Sequence, residues 1–98
     1  MTVNGYFTFS FESSLSREGR RRVAEDIARL RGIRTIEIML PDKFSYDAVS
    51  LFRTSGKKRA QTLAEKIGDV EGIEGEIHIN YLGSRIIPTS YGYRNDYT

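Results

Sequence analysis

Twice along this chain a two-residue alternation gives way to helical spacing and then returns to alternation. That order restricts the fold more than any other feature of the sequence. Phe7, Phe9 and Phe11 alternate with Tyr6, Thr8 and Ser10 between Gly5 and Glu12, the period of a strand with one buried face. Ser13 to Ser16 reads as a turn, with Ser16 placed to cap a helix. Val23, Ile27 and Leu30 then recur at i, i+4 and i+7, which predicts a helix from about Arg17 to Arg31. Gly32 stands where a helix-terminating glycine is expected. Ile33 to Leu40 is a second strand with Ile36 and Ile38 inward, ended by Pro41-Asp42-Lys43. The second half repeats the plan. Tyr46 to Arg53 is a strand with Val49 and Leu51 expected inward. Ser55-Gly56 opens a helix carrying Ala60, Leu63, Ile67 and Val70, and Glu76 to Leu82 is a strand with Ile77 and Ile79 inward. Arg31-Gly32-Ile33 is echoed by Glu71-Gly72-Ile73, and Gly19-Arg20-Arg21-Arg22 by Gly56-Lys57-Lys58-Arg59.

The order β-α-β-β-α-β predicts an α+β fold, a ferredoxin-like sandwich with two helices on one face of an antiparallel sheet. Right-handed crossovers give the strand order 4-1-3-2. Phe9, Ile27, Ile38, Leu51, Ile67 and Ile79 are the expected core. Residues 1–82 form the expected single domain. Residues 83–98 form a tail without period, with Ile86-Ile87-Pro88 as a short edge segment and Tyr91, Tyr93, Arg94 and Tyr97 flexible or docked on a partner. The 98 residues suit one domain. There are no cysteines, so neither a disulfide nor a thiolate metal site is available. No run approaches the ~20 apolar residues of a membrane helix, and Met1 to Gly5 lacks the features of a signal peptide. The expectation is a cytoplasmic protein with no membrane contact.

Catalytic groupings are absent from the sequence. His78 is the single histidine, and Glu37, its best distant partner for a metal, falls on the opposite edge strand about 14 Å away. No nucleophile–base–acid set and no glycine-rich phosphate or dinucleotide loop appears. The chain therefore reads as a non-enzyme without a cofactor. The two basic triplets, Arg20-Arg21-Arg22 and Lys57-Lys58-Arg59, stand at helix starts, where cations oppose the helix dipole. One reading is a solvated face held by i, i+4 pairs such as Glu18 with Arg22. The other is contact with an anion or nucleic acid. The aromatic first strand superficially resembles an RNA-recognition strand, with only Tyr6 and Phe52 on the open face. That face is expected to show Tyr6, Thr8 and Ser10 beside Ala48, Ser50 and Phe52, with Met39 on the second strand and Glu37 and Glu76 at the rim. A neutral centre with a charged rim suits a covered surface, and Tyr6, Met39, Ala48, Ser50 and Phe52 are the candidate interface.

Ser16-Arg17-Glu18-Gly19, Val23 to Leu30 and Gly32-Ile33-Arg34-Thr35-Ile36 together resemble the ACT domain. Tyr46 to Leu51 is similar to the third strand of the related ligand-sensing domain of Lrp/AsnC regulators. The resemblance covers residues 5 to 82. Glu18 stands where the family usually carries proline. The resemblance implies a ferredoxin-like regulatory module that binds a small effector such as an amino acid near the first loop and helix start, usually at a dimer interface. Carried across, this points to Ser16, Glu18 and Gly19 as ligand-binding. Three functions follow as expectations. One is an effector-binding module that self-associates as a homodimer or higher assembly through its sheet. Another is a small nucleic-acid-binding protein using the basic helix starts and the Tyr/Arg tail. The third is an accessory subunit of a larger assembly.

Overall fold

A computed structural model describes residues 2–40, 43–82, 86–89 and 92–95, the last two segments by backbone alone. The elements are β1 (Val3–Phe11), α1 (Arg17–Ala28), β2 (Ile33–Ile38), β3 (Ala48–Thr54), α2 (Lys57–Gly68), β4 (Ile73–Leu82), β5 (Ile86–Thr89) and β6 (Gly92–Asn95). The first six give βαββαβ, with a four-stranded antiparallel sheet in the order β2-β3-β1-β4. This is the expected 4-1-3-2 read from the other edge, and the fold is ferredoxin-like. Ile86 to Pro88 does not join that sheet. It pairs with β6 in a separate two-stranded sheet, Ile87 opposite Arg94 and Pro88 opposite Tyr93. Tyr91 and Tyr97 lie outside the described residues.

The two halves are built alike. Ser16 caps α1 by accepting from the Gly19 N–H at 3.0 Å, and Gly56 occupies the same place before α2. Each helix has 12 residues. Val23, Ala24 and Ile27 are buried in α1, and Leu63, Ala64 and Ile67 are buried at the matching places in α2. Gly32 and Gly72 follow at the same offset, with φ of 105° and 102°, left-handed values that favour glycine. Each packs against the helix of the other half. A Cβ on Gly72 would stand 2.6 Å from Val23 Cγ2, and one on Gly32 would stand 3.1 Å from Leu63 Cδ2. The turn into Gly32 explains why α1 ends at Ala28 and not at Arg31.

Beneath the helices lie Phe7, Phe9 and Phe11 from β1 with Ala48 and Phe52 from β3, Ile27 and Ile67. The structure reverses the expected faces of β3. Ala48 and Ser50 are fully buried and Phe52 is 2 % exposed, so all three point to the helices. Val49 and Leu51 are only half-buried and take the other face. The reason is volume. Register sets Ala48 opposite Phe9, Ser50 opposite Phe7, and Phe52 opposite Gly5. Each large side chain on one strand thus meets a small residue on the other, as close packing requires. The Phe52 ring stacks on Phe7 with centroids 4.3 Å apart.

Two further corrections concern the core. Leu51 leaves it through the reversal of β3. Ile38, opposite Ala48, is 40 % exposed, because it is the last residue of edge strand β2 and has a neighbouring strand on one side only. Ile33 replaces it. Between Ile33 and Thr35 the β2 register slips by one residue against β3. That bulge lets both Ile33 and Ile36 pack against the core. Ile27 is fully buried at the centre. Ile27→Ala is expected to destabilise the chain by ~2–5 kcal/mol. An unchanged urea midpoint would remove Ile27 from the core.

Candidate functional site

Because residues paired across an antiparallel ladder share a face, the register defines what the open side of the sheet presents. Tyr6 stands between Leu51 and Asn80, and Thr8 between Val49 and His78. Thr35 continues the row beyond Leu51, and Glu37 beyond Val49. Leu82 lies opposite Asn4. The centre is thus Tyr6, Thr8, Val49 and Leu51, uncharged and more apolar than the sequence reading had it. Glu37 and His78 fall on the outer strands. Met39 stands just past β2, its N–H donating to the Asp47 carbonyl at 2.8 Å. Leu40 and Phe44, in the β2–β3 connection, are 68 % and 51 % exposed.

Of the five residues expected at an interface, Tyr6 lies on the open face and Met39 just beyond the end of β2. Ala48, Ser50 and Phe52 are not at that face, since their side chains lie in the interior. The Ser50 hydroxyl donates to the Thr35 carbonyl at 2.9 Å. With Phe52 inside, the pair of aromatics imagined for RNA stacking is reduced to Tyr6. Val49, Leu51 and Leu82 are what the sequence reading missed. The alternating pattern itself contains them, but it does not say which set turns outward.

Ser16, Glu18 and Gly19 do come together, at the start of α1. There the groups serve the helix. Ser16 caps it, and Glu18 accepts from Arg21 Nη2 at 2.7 Å and lies 3.8 Å from Arg22 Nε. The hydrogen bond from Arg21 and its charge lower the Glu18 pKa below the ordinary value and raise that of Arg21. Arg20 lies over the Phe11 ring at 5.6 Å and 3.8 Å from Asp47 Oδ2. Asp47 Oδ2 also accepts from the Phe11 N–H at 3.0 Å. Each arginine of the first triplet therefore has an acidic neighbour within 4 Å, Arg21 and Arg22 sharing Glu18.

The second triplet differs. Among the described residues Lys57, Lys58 and Arg59 form no ion pair, and the Lys57 ammonium lies 5.1 Å from the centre of the Tyr81 ring. Tyr81 pairs with Gly5, at the far end of β1 from Phe11. The triplets are thus about 20 Å apart along β1, at ~3.3 Å per residue. Beside Arg59 opens a cleft of about 410 Å³, lined by Thr2, Arg31, Gly32, Arg53, Thr54, Ser55, Arg59, Thr62, Leu63 and Lys66. Four of these ten residues are basic and none is acidic. Arg31, Arg53 and Lys66 are scattered in the sequence, and only the i, i+7 spacing of Arg59 and Lys66 on α2 hints at a shared face.

Among the described residues no group of three or more His, Cys, Asp or Glu is placed to hold a metal ion. No described helix is long and apolar enough to cross a membrane. No protein-family model matches the chain, and no curated protein matches it in sequence.

Proposed function

We propose that the chain is a non-enzymatic regulatory module of the ACT-like kind, which associates with a second copy of itself through the open face of its sheet and takes up a small effector. The observation that carries this reading is the outward turn of Val49 and Leu51 on central strand β3. With Tyr6 and Thr8 they form an uncharged band at the centre of the face the helices leave open, with Arg53 beyond it on β3 and Glu37 beside it on β2. A flat, uncharged sheet face invites uncontrolled association, and a defined partner turns that liability into an interface. A second copy presents the same band, so an isologous contact is self-complementary.

Leu51→Lys tests this reading. Leu51 sits between Tyr6 and Thr35, at the middle of the face, and its side chain is outside the core. The wild type is expected to sediment as a dimer. The variant is expected to sediment as a monomer with an unchanged melting profile, because in a dimer one unpaired ammonium per subunit is desolvated at a cost of several kcal/mol. A monomeric wild type, or a variant with undiminished self-affinity, overturns the reading.

A further inference from the structure

The internal symmetry of the fold makes the basic cleft informative. In the first half, Leu15 wedges between Gly19 and Gly72. A Cβ on Gly19 would stand 3.2 Å from Leu15 Cδ2, and one on Gly72 3.0 Å from Leu15 Cδ1. In the second half the corresponding residues are Ser55, Arg59 and Gly32, and all three line the cleft. The leucine plug has become a serine, and the glycine beneath it an arginine. Charge diverges in the same direction. Lys66 stands where the first half has Asp26, and Arg31 where the second unit's own turn has Glu71. The helix starts diverge too. Ser16 caps α1 and Glu18 lies in its first turn, whereas α2 has neither a side-chain cap nor an acidic residue there. One end of the domain is plugged and ion-paired, and the matching end is open and cationic.

We infer that this cleft binds a small anion carrying two or more phosphate-type charges. Arg31, Arg59 and Lys66 line it beside the Arg53 end of β3, whose backbone N–H donates to the Gly32 carbonyl, and among the described residues none of these four basic residues makes an ion pair. Neighbouring like charges without counter-charge repel, and a bound anion relieves that repulsion. Guanidinium groups suit phosphate oxygens through paired N–H donors. Among the described residues the Ser55 hydroxyl has no hydrogen-bond partner of its own, while Thr54 and Thr62 donate to the carbonyls of Gly56 and Lys58. Leu63 and Gly32 supply an apolar part of the lining. The volume of about 410 Å³ suits a small molecule. A polymer would need a continuous basic track, and the other triplet lies at the far end of β1 and is ion-paired.

The assignment rests on the reading of the chain as an effector-binding module, and gives that effector a chemical class and a place away from Ser16, Glu18 and Gly19. It does not depend on association through the sheet. The test is calorimetric titration of the full chain with inorganic pyrophosphate, against sodium chloride of matched ionic strength. Saturable binding of one pyrophosphate per chain is expected, with a Kd below about 1 mM. Arg59→Gln combined with Lys66→Gln is expected to weaken it at least tenfold. Arg21→Gln combined with Arg22→Gln removes the same charge from the other end and is expected to leave it within twofold. Absent saturation, or equal weakening by both double variants, overturns the proposal. So does a duplex oligonucleotide that binds tightly and is not displaced by pyrophosphate, because the site would then belong to a polymer. If pyrophosphate fails to bind while Leu51→Lys still abolishes association, the cleft assignment falls and the sheet-mediated reading stands.

Discussion

Ser50→Lys is expected to abolish the cooperative folding transition, whereas a lysine one residue further on, at Leu51, leaves it intact. Ser50 has no exposed surface. It faces Phe7 on one side and Ile36 on the other, beneath the helices, and its hydroxyl donates to the Thr35 carbonyl. A lysine there loses that bond and needs room the ring of Phe7 already fills, an overpacking cost of ~1–3 kcal/mol. Its ammonium would also lie in an apolar layer with no carboxylate partner, at several kcal/mol more. Small domains have only ~5–15 kcal/mol of net stability, so the sum removes most or all of it. Circular dichroism during urea denaturation reads this directly. A Ser50→Lys chain that unfolds at the wild-type midpoint would show that Ser50 faces solvent, and with it the register of β1 on β3 would be wrong.

Gly5→Ala is expected to be the most damaging single-methyl substitution in the sheet, lowering stability by ~3 kcal/mol or more, at and beyond the upper end of ordinary overpacking. Gly5 is buried between Phe52 on β3 and Tyr81 on β4. A Cβ there would meet the Asn80 carbonyl oxygen and stand 2.6 Å from Phe52 Cζ. The carbonyl belongs to the neighbouring strand and cannot move without loosening the ladder. The ring cannot swing aside either, because it is stacked on Phe7 and edge-on to Tyr81, with centroids 6.3 Å apart. Backbone conformation plays no part in the expected effect, which is steric. A chemical denaturation series of wild type and Gly5→Ala measures it. A difference within ~0.5 kcal/mol, the range of an ordinary surface change, would mean that Phe52 does not lie over Gly5.

The candidate sites were legible to unequal degrees. The basic triplets stand out in the sequence, yet only the fold shows that Arg20, Arg21 and Arg22 are matched by Asp47 and Glu18 while Lys57, Lys58 and Arg59 have no ion-pair partner among the described residues. Asp47 and Arg20 are far apart in the chain, so no local spacing rule pairs them. Of the cleft, only the i, i+7 spacing of Arg59 and Lys66 was legible. Arg31, Arg53 and Lys66 come from a turn, a strand end and the last turn of a helix, and only the fold sets them along one cleft.

Local pattern alone set the first six elements, their order and the topology of the four-stranded sheet, and left the β5–β6 pair unread. Period two and period 3.6 are local properties, dictated by where successive side chains point, and right-handed crossovers then leave one arrangement. It also determined the core faces of β1 and of both helices, where one set of positions is plainly more apolar than the other. It could not determine the face of β3. Val49 and Leu51 look like core residues beside Ala48 and Ser50, and a strand read alone buries them. Only in the assembled sheet do Phe7 and Phe9 meet Ser50 and Ala48, and Phe52 meet Gly5. Three phenylalanines from β1 fill the space under the helices, so the strand beside them must contribute small side chains there. Packing volume is a property of facing pairs and not of single residues, and it decided which residues the open face displays.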